Sequence, residues 1–327
     1  MRRREFIAGL GGAAVSPLAA RAQQQVRARL IALLIPYLES DVNGQARVRA
    51  FRQELTRLGW PEASAVQFDV RWTGDNMDHV QVAAANFVTL RPDVIFSVGD
   101  RVLGVLTQLT RSIPIVAIAS DLAGSGFAES LARPGGNVTG FSVIEFSLIG
   151  KMVETLRRIA PGISRVGMIY NPDNPIRAIY LRSFNAVAEQ LAVQPIDLPV
   201  HGVAEIERAI GTLAEHPKGG FIAPPDVTIT ALATQITALA ARHGVPAIYS
   251  FSSFVMGGGL VSYGADLIDV FRRAASYVDR VLRGDKPGDL PIQQPTNYQL
   301  VINLKSAKAL GLTVPESLLA TADEVIQ

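Results

Sequence analysis

"RLIALLI", Arg29 to Ile35, is an almost uninterrupted apolar run with a single charge at its front. A run so short and so uniform predicts a strand buried on both faces, as in the interior of a parallel sheet. A helix should follow such a strand. Val48, Phe51, Leu55 and Leu58 recur at helical spacing after it, and Gly59 stands where a left-handed C-terminal cap belongs. The alternation then repeats. "VQFDVRW" (66–72) reads as a strand, residues 77–90 as a helix, "DVIFSV" (93–98) as a strand, 101–110 as a helix, and "PIVAIA" (114–119) as the next strand.

A second series begins after "GNVTGFS" (136–142). Leu148, Met152, Leu156 and Ile159 mark a helix and "SRVGMIY" (164–170) a strand. Helices over 176–191 and 204–213, the strand "GGFIA" (219–223), a helix over 228–242 and the strand "VPAIY" (245–249) continue it. Residues 260–282 read as a strand plus a helix, the polar "RGDKPGDLP" (283–291) as a connection, and the remainder as a strand and helices. Strict alternation implies parallel sheets with right-handed crossovers and helices on both faces. The fold class is therefore α/β, with two Rossmann-like lobes, as suits a chain longer than one core usually supports.

The first residues carry a different message. In "RRREFIAGLGG" (2–12), Gly9, Gly11 and Ala14 have the spacing of a dinucleotide fingerprint, but that loop needs a strand before it, and none precedes Gly9. Three arginines, an apolar run over 6–20 and Ala20-Arg21-Ala22 instead have the order of an export signal cleaved after Ala22. The paired arginines before Glu5, Phe6 and Ile7 suggest the twin-arginine variant. The apolar run is shorter than the ~20 residues that span a bilayer. Residues 1–22 are therefore expected to direct the protein to the periplasm and to be lost there. Removing their four arginines and one glutamate from 31 basic and 29 acidic residues leaves 27 against 28, so the remainder is near neutral. With no basic run beyond Arg29 and no helix-turn-helix ahead of the first lobe, nucleic acid is not an expected partner.

Ligands of open parallel sheets bind beyond the carboxyl ends of the strands. Tyr37 lies there after the first strand, then Gly99 and Asp100, Ser120 and Asp121, Asn171 and Asn174, Pro225 and Asp226, Ser250 and Phe251, and finally Tyr263 and Asp266. These groups suit a small polar organic solute. Each aspartate also stands where a helix begins, so capping is the competing use, and the aromatic residues could equally be packing between lobes. Catalytic patterns are missing: His79, His201, His216 and His243 fall away from the strand ends, and the sequence has no cysteine, no H-E-x-x-H pair, no G-x-S-x-G elbow and no phosphate loop. No catalytic residue, metal or cofactor is expected.

From "LARPGGNVTGFS" (131–142) outward, the chain resembles the ABC transporter substrate-binding family that includes tryptophan- and tyrosine-type binding proteins. "RPDVIFSVG" (91–99), "SRVGMIYNPDNP" (164–175), "LAARHGVPAIY" (239–249), "GGGLVSYGAD" (257–266), "QPTNYQLVINLKSAKALGL" (294–312) and "VPESLLATADEVI" (314–326) are similar to family blocks in family order. The resemblance implies a type I periplasmic binding fold with three crossings between lobes, near 140–142, 254–259 and 287–295. The first lobe would hold residues 25–141 and 260–288, the second 142–259 and 289–327. It implies a monomer that closes on a solute and delivers it to an inner-membrane permease, the ligand being an aromatic amino acid or related carboxylate. Tyr37, Phe251 and Tyr263 would sandwich the apolar part, Ser120, Asn171, Asn174 and Ser250 would hydrogen-bond, and Asp100, Asp121, Asp226 or Asp266 would receive an amine. Asp100 and Arg101, where many relatives have a small hydroxyl residue and proline, change the charge this solute meets. A sensing module for a membrane receptor, or an exported enzyme using the same cleft, are the other readings of such a lobe pair.

Overall fold

The computed structural model describes residues 28–143, 147–216 and 218–327. The expected export signal, 1–22, lies outside the described residues. The first lobe is built from β1 (Arg29–Ile35), α1 (Val42–Arg57), β2 (Val66–Trp72), α2 (Met77–Leu90), β3 (Val94–Val98), α3 (Asp100–Leu109), β4 (Ile115–Ala119) and β5 (Val138–Ser142). Its strands form a parallel sheet in the order β2-β1-β3-β4-β5. β3 and β4 are buried along their whole length, which is why their sequences are apolar at every position rather than at alternate ones.

The second lobe continues with α4 (Ser147–Ile159), β6 (Arg165–Tyr170), α5 (Arg177–Gln190), β7 (Gln194–Pro199), α6 (Val203–Ala214), β8 (Gly219–Ala223), α7 (Val227–Ala231), α8 (Ala233–His243), β9 (Ala247–Tyr249), α9 (Ser252–Met256) and β10 (Val261–Ala265). After α10 (Leu267–Leu282) come β11 (Tyr298–Asn303), α11 (Leu304–Ala309), α12 (Glu316–Leu319) and β12 (Glu324–Ile326). The second sheet runs β12-β11-β10-β9-β8-β6-β7, parallel except where β10 meets β11. Two parallel-sheet lobes, as the alternation implied, are therefore present.

Several local expectations need correction. "VTGFS", in the stretch after which the second series begins and with no strand expected there, is β5, the edge strand of the first sheet. It accepts that place because Gly140, at φ 140°, has no Cβ: one there would stand 1.9 Å from the Ala117 carbonyl oxygen. β7, "QPIDLP", alternates Ile196 and Leu198 with polar or proline positions, but its two prolines mask it as a strand and confine it to the sheet edge, where a missing N–H does least harm. The helix expected over 228–242 is broken at Leu232 into α7 and α8.

The largest correction concerns the lobe boundary. β10, expected in the first lobe with the rest of 260–288, is hydrogen-bonded between β9 and β11 in the second sheet. The chain crosses directly afterwards, at Asp266, not over 254–259. α10 then packs on α1 and against β3, β4 and β5 of the first lobe. Phe271 of α10 meets Phe96 edge to face at 5.4 Å, Phe96 stacks on Phe51 at 4.4 Å, and the Trp60 indole donates to Asp279 at 2.7 Å. Burial of each such ring contributes about 1.5–3 kcal/mol. Gln293 still belongs to the first lobe, donating its N–H to Gly140 and accepting from Ser142, each at 2.9 Å. The first and third crossings therefore lie between Ser142 and Ser147 and between Gln293 and Tyr298. Among the described residues, no helix is long and apolar enough to cross a membrane.

Candidate functional site

The carboxyl ends of both sheets converge on one cavity. Tyr37 follows β1, Gly99 and Asp100 follow β3, Ser120 follows β4, Pro225 and Asp226 follow β8, and Phe251 follows β9; all of them border it. It holds about 390 Å³ of space free of atoms, part of it continuous with solvent. Val98, Ile118, Val143, Val227, Leu267 and Phe271 complete a largely apolar wall. An adjoining cavity of about 360 Å³ shares Gly99, Asp100, Asp226 and Val227 and is bounded by Asp75, Arg101 and Asn174.

The lobes touch at this place. Gly99 caps α3 at φ 94° and ψ 144°, a conformation reserved for glycine. A Cβ there would lie 2.8 Å from Cγ2 of Val227, in the opposite lobe. Arg101 bridges the cleft more loosely, with Nη1 3.3 Å from Asp75 and Nη2 4.0 Å from Asp173. Both of its partners are partly exposed, so the contribution is small.

Two buried carboxyls face this space. Asp100 accepts from the Ser120 hydroxyl at 2.6 Å and from its N–H at 3.1 and 3.2 Å. Burial pushes the Asp100 carboxyl above the usual range, and the Ser120 bonds pull against it. Asp226 caps α7 by accepting from the Ile229 N–H at 3.1 Å, and its other oxygen accepts from the Asn174 amide at 2.8 Å. Burial raises its carboxyl to about 6 against the pull of those two donors, and the nearby Asp75 and Asp100 add to the rise. Carboxyls so placed accept from an ammonium or amine, while the apolar wall receives hydrocarbon.

The other expected residues lie elsewhere. Asn171 holds the second lobe together, donating to Thr228 Oγ1 at 2.7 Å and accepting from the Asp173 N–H. Ser250 donates to the Ala223 carbonyl at 2.6 Å and so ties β9 to β8. Asp121 receives the Gly124 N–H at 2.9 Å in a turn. Asp266 caps α10 through the N–H groups of Ile268 and Asp269 and also accepts from Gln299. The capping use holds for Asp226 and Asp266, but Asp226 reaches the cavity as well. Tyr263 stacks on Tyr298 at 6.2 Å and packs on the second-lobe core; it borders neither cavity.

Sequence reasoning missed others. Val227 and Thr230 reach the cavity from α7, which a continuous helix over 228–242 concealed. Tyr180 of α5 lies within the helix expected over 176–191 and is fully buried. Its hydroxyl donates to the Pro225 carbonyl at 2.6 Å, and the Ser120 hydroxyl beside it acts against the large upward shift that burial imposes on the phenol. Leu267 and Phe271 come from α10, which was expected in the first lobe but carries no strand end to mark it as part of the cleft. Among the described residues, no three His, Cys, Asp or Glu side chains are grouped to hold a metal ion.

Comparison with known proteins agrees with this architecture. A tyrosine-binding protein of Clostridioides difficile (strain R20291) is 25% identical over 265 residues, which cover 81% of this chain and 76% of that protein. The structure of an ABC domain in complex with L-Trp from Streptococcus pneumoniae superposes with a TM-score of 0.84 at 24% identity, covering 91% of this chain and all of that one. The ligand-free, open structure of a Clostridium difficile substrate binding protein with adhesive properties gives 0.68 at 20% identity, covering 91% and 99%. The family model described as ABC transporter substrate binding protein matches residues 37–326, nearly the whole of the two lobes, and the chain belongs to that family.

Proposed function

We propose that this protein is the periplasmic solute receptor of an ABC importer and that its cleft closes on an aromatic amino acid. The observation that carries the reading is the cavity itself: residues from both lobes line it, and the lobes meet at Gly99 and Val227 beside it. A solute seated there touches both walls only when the cleft is shut. It therefore binds the closed form better than the open form, and that difference is what drives closure. Phe251, Phe271 and Val227 offer the apolar surface an aromatic ring needs; Asp226 and Asp100 accept from its amine. The names of the tyrosine-binding relative and the tryptophan-bound neighbour support the same ligand class.

Closure presents one joined face of two lobes to a permease, and a monomer is sufficient for that. Export through the signal at 1–22, with cleavage after Ala22, brings the receptor to the compartment where the solute is met. The chemistry is capture and release, with no bond made or broken. Residues 23–327, stripped of bound solute by unfolding and refolding, test the reading by calorimetric titration with tyrosine, tryptophan and phenylalanine, beside sugars and aliphatic amino acids. Selective binding of the aromatic set, with compaction in small-angle scattering at saturation, is expected. Binding of sugars alone, or binding without compaction, overturns it.

A further inference from the structure

Arg47 is one of the buried residues of α1, only 4% exposed. Several surface arginines of this chain are paired: Arg29 with Asp93, Arg57 with Glu54, Arg71 with Asp69. The buried one is not. Its Nη1 has no hydrogen-bond partner, and no Asp or Glu oxygen among the described residues comes within 4.0 Å of the guanidinium. What it does touch is Tyr37, with its guanidinium carbon 5.2 Å from the centre of the ring. Tyr37 is a wall of the solute cavity and is held from behind by the same helix, since a Cβ on Gly44 would stand 3.2 Å from its Cδ2.

A guanidinium withdrawn from water without a counter-ion is among the most unfavourable arrangements a fold can carry. It persists where the missing anion arrives with a ligand. The group in question is a planar fork of N–H donors, matched in geometry to a carboxylate. The acidic or basic side chains that border the cavity itself, Asp100 and Asp226, are both carboxyls. They serve an amine and repel a carboxylate, and Arg101 of the adjoining cavity is already engaged by Asp75, so a zwitterionic solute needs a second positive group, and Arg47 is the one that stands on the side of Tyr37. We infer that Arg47, beside Tyr37, supplies the counter-charge for a carboxylate of the solute, so that the cleft selects acids over their neutral amides. This rests on the reading of the cleft as a solute site and makes Arg47 its specificity-determining residue.

The test compares matched pairs: phenylalanine, tyrosine and tryptophan, each against its carboxamide, and phenylacetate against phenylacetamide. Each is titrated calorimetrically into the stripped wild type, Arg47→Met and Arg47→Lys, with circular dichroism confirming the fold of each variant. The wild type should bind each acid at least 30-fold more tightly than its amide. In Arg47→Met the acids should fall to within threefold of the amides, while amide affinities change less than threefold. Arg47→Lys, which keeps the charge and loses the fork, should retain part of the preference, and it carries the comparison if the Met variant does not fold. A merely structural Arg47 predicts equal losses for acids and amides, and that result overturns the proposal. So does an undiminished acid preference in the variants, although the aromatic receptor then stands. Wild-type protein that binds none of the compounds sinks both the role of Arg47 and the aromatic-solute reading.

Discussion

Replacing Gly99 by alanine should hold the cleft open without unfolding either lobe. The new Cβ lies 2.8 Å from Val227 Cγ2 across the cleft, inside any normal contact, whereas the Cβ of Val227 itself is 3.8 Å away. Two costs are therefore separable. The backbone at φ 94° strains an alanine by about 1–3 kcal/mol, a cost paid in open and closed forms alike. The clash is paid only on closure, and overpacking of this kind costs about 1–3 kcal/mol. On the proposed reading the ligand drives closure, so that second amount comes out of its affinity, a loss of about 5- to 150-fold. Val227→Ala removes the offending methyl together with some of the cavity's own apolar wall, so the double variant should bind about as tightly as Val227→Ala alone while keeping the strain. Calorimetric titration of wild type, both single variants and the double variant closes the cycle, and small-angle scattering at saturating ligand reports the shape. If Gly99→Ala weakens binding as much in the Val227→Ala background as in the wild type, the reasoning is refuted, because the lost affinity would then owe nothing to the contact between lobes.

Other outcomes follow from the same geometry. Asp226 titrates at about 6 in the folded protein against 3.8 ordinarily, so the folded form binds the proton more strongly. Stability should fall as pH rises from about 4 to about 6, by on the order of 2–3 kcal/mol, and level off above. Urea midpoints across that range should lose this part of their slope in Asp226→Asn, and an unchanged slope counts against the assignment. Ser120→Ala strips the buried Asp100 carboxyl of its 2.6 Å hydroxyl donor and should cost about 1–3 kcal/mol in denaturant unfolding. Phe251→Ala should weaken solute binding tenfold or more, whereas Tyr263→Ala should lower the melting temperature and leave affinity within twofold. The reverse pattern, read by titration and thermal unfolding together, would return Tyr263 to the site.

The cleft was partly legible because strand ends are marked in one dimension. Gly99, Asp100, Ser120 and Asp226 each break an apolar run, and a break in a buried parallel strand is where a ligand finds polar groups. What misled was treating every strand end alike. Ser250 and Asn171 satisfy neighbouring backbone and side-chain groups within the second lobe, while Tyr263 points to the core that β10 shares with β11. Nothing in their immediate neighbours distinguishes those fates from that of Phe251.

By itself the amino-acid sequence determined the alternation of buried strands and amphipathic helices, and hence two parallel-sheet lobes. The runs "RLIALLI", "DVIFSV" and "PIVAIA", and the helical spacing between them, are local properties that burial on both faces demands. Only the tertiary structure decided that β10 joins the second sheet while α10, one residue later, packs on the first. The apolar pattern of a strand records how much of it is buried, not which strands it bonds, so a crossover leaves no mark on composition. The same holds for Arg47. Its helical position marks it as facing inward, but whether an inward arginine finds a carboxylate depends on what distant elements bring to it, and here they bring the ring of Tyr37, itself a wall of the cavity.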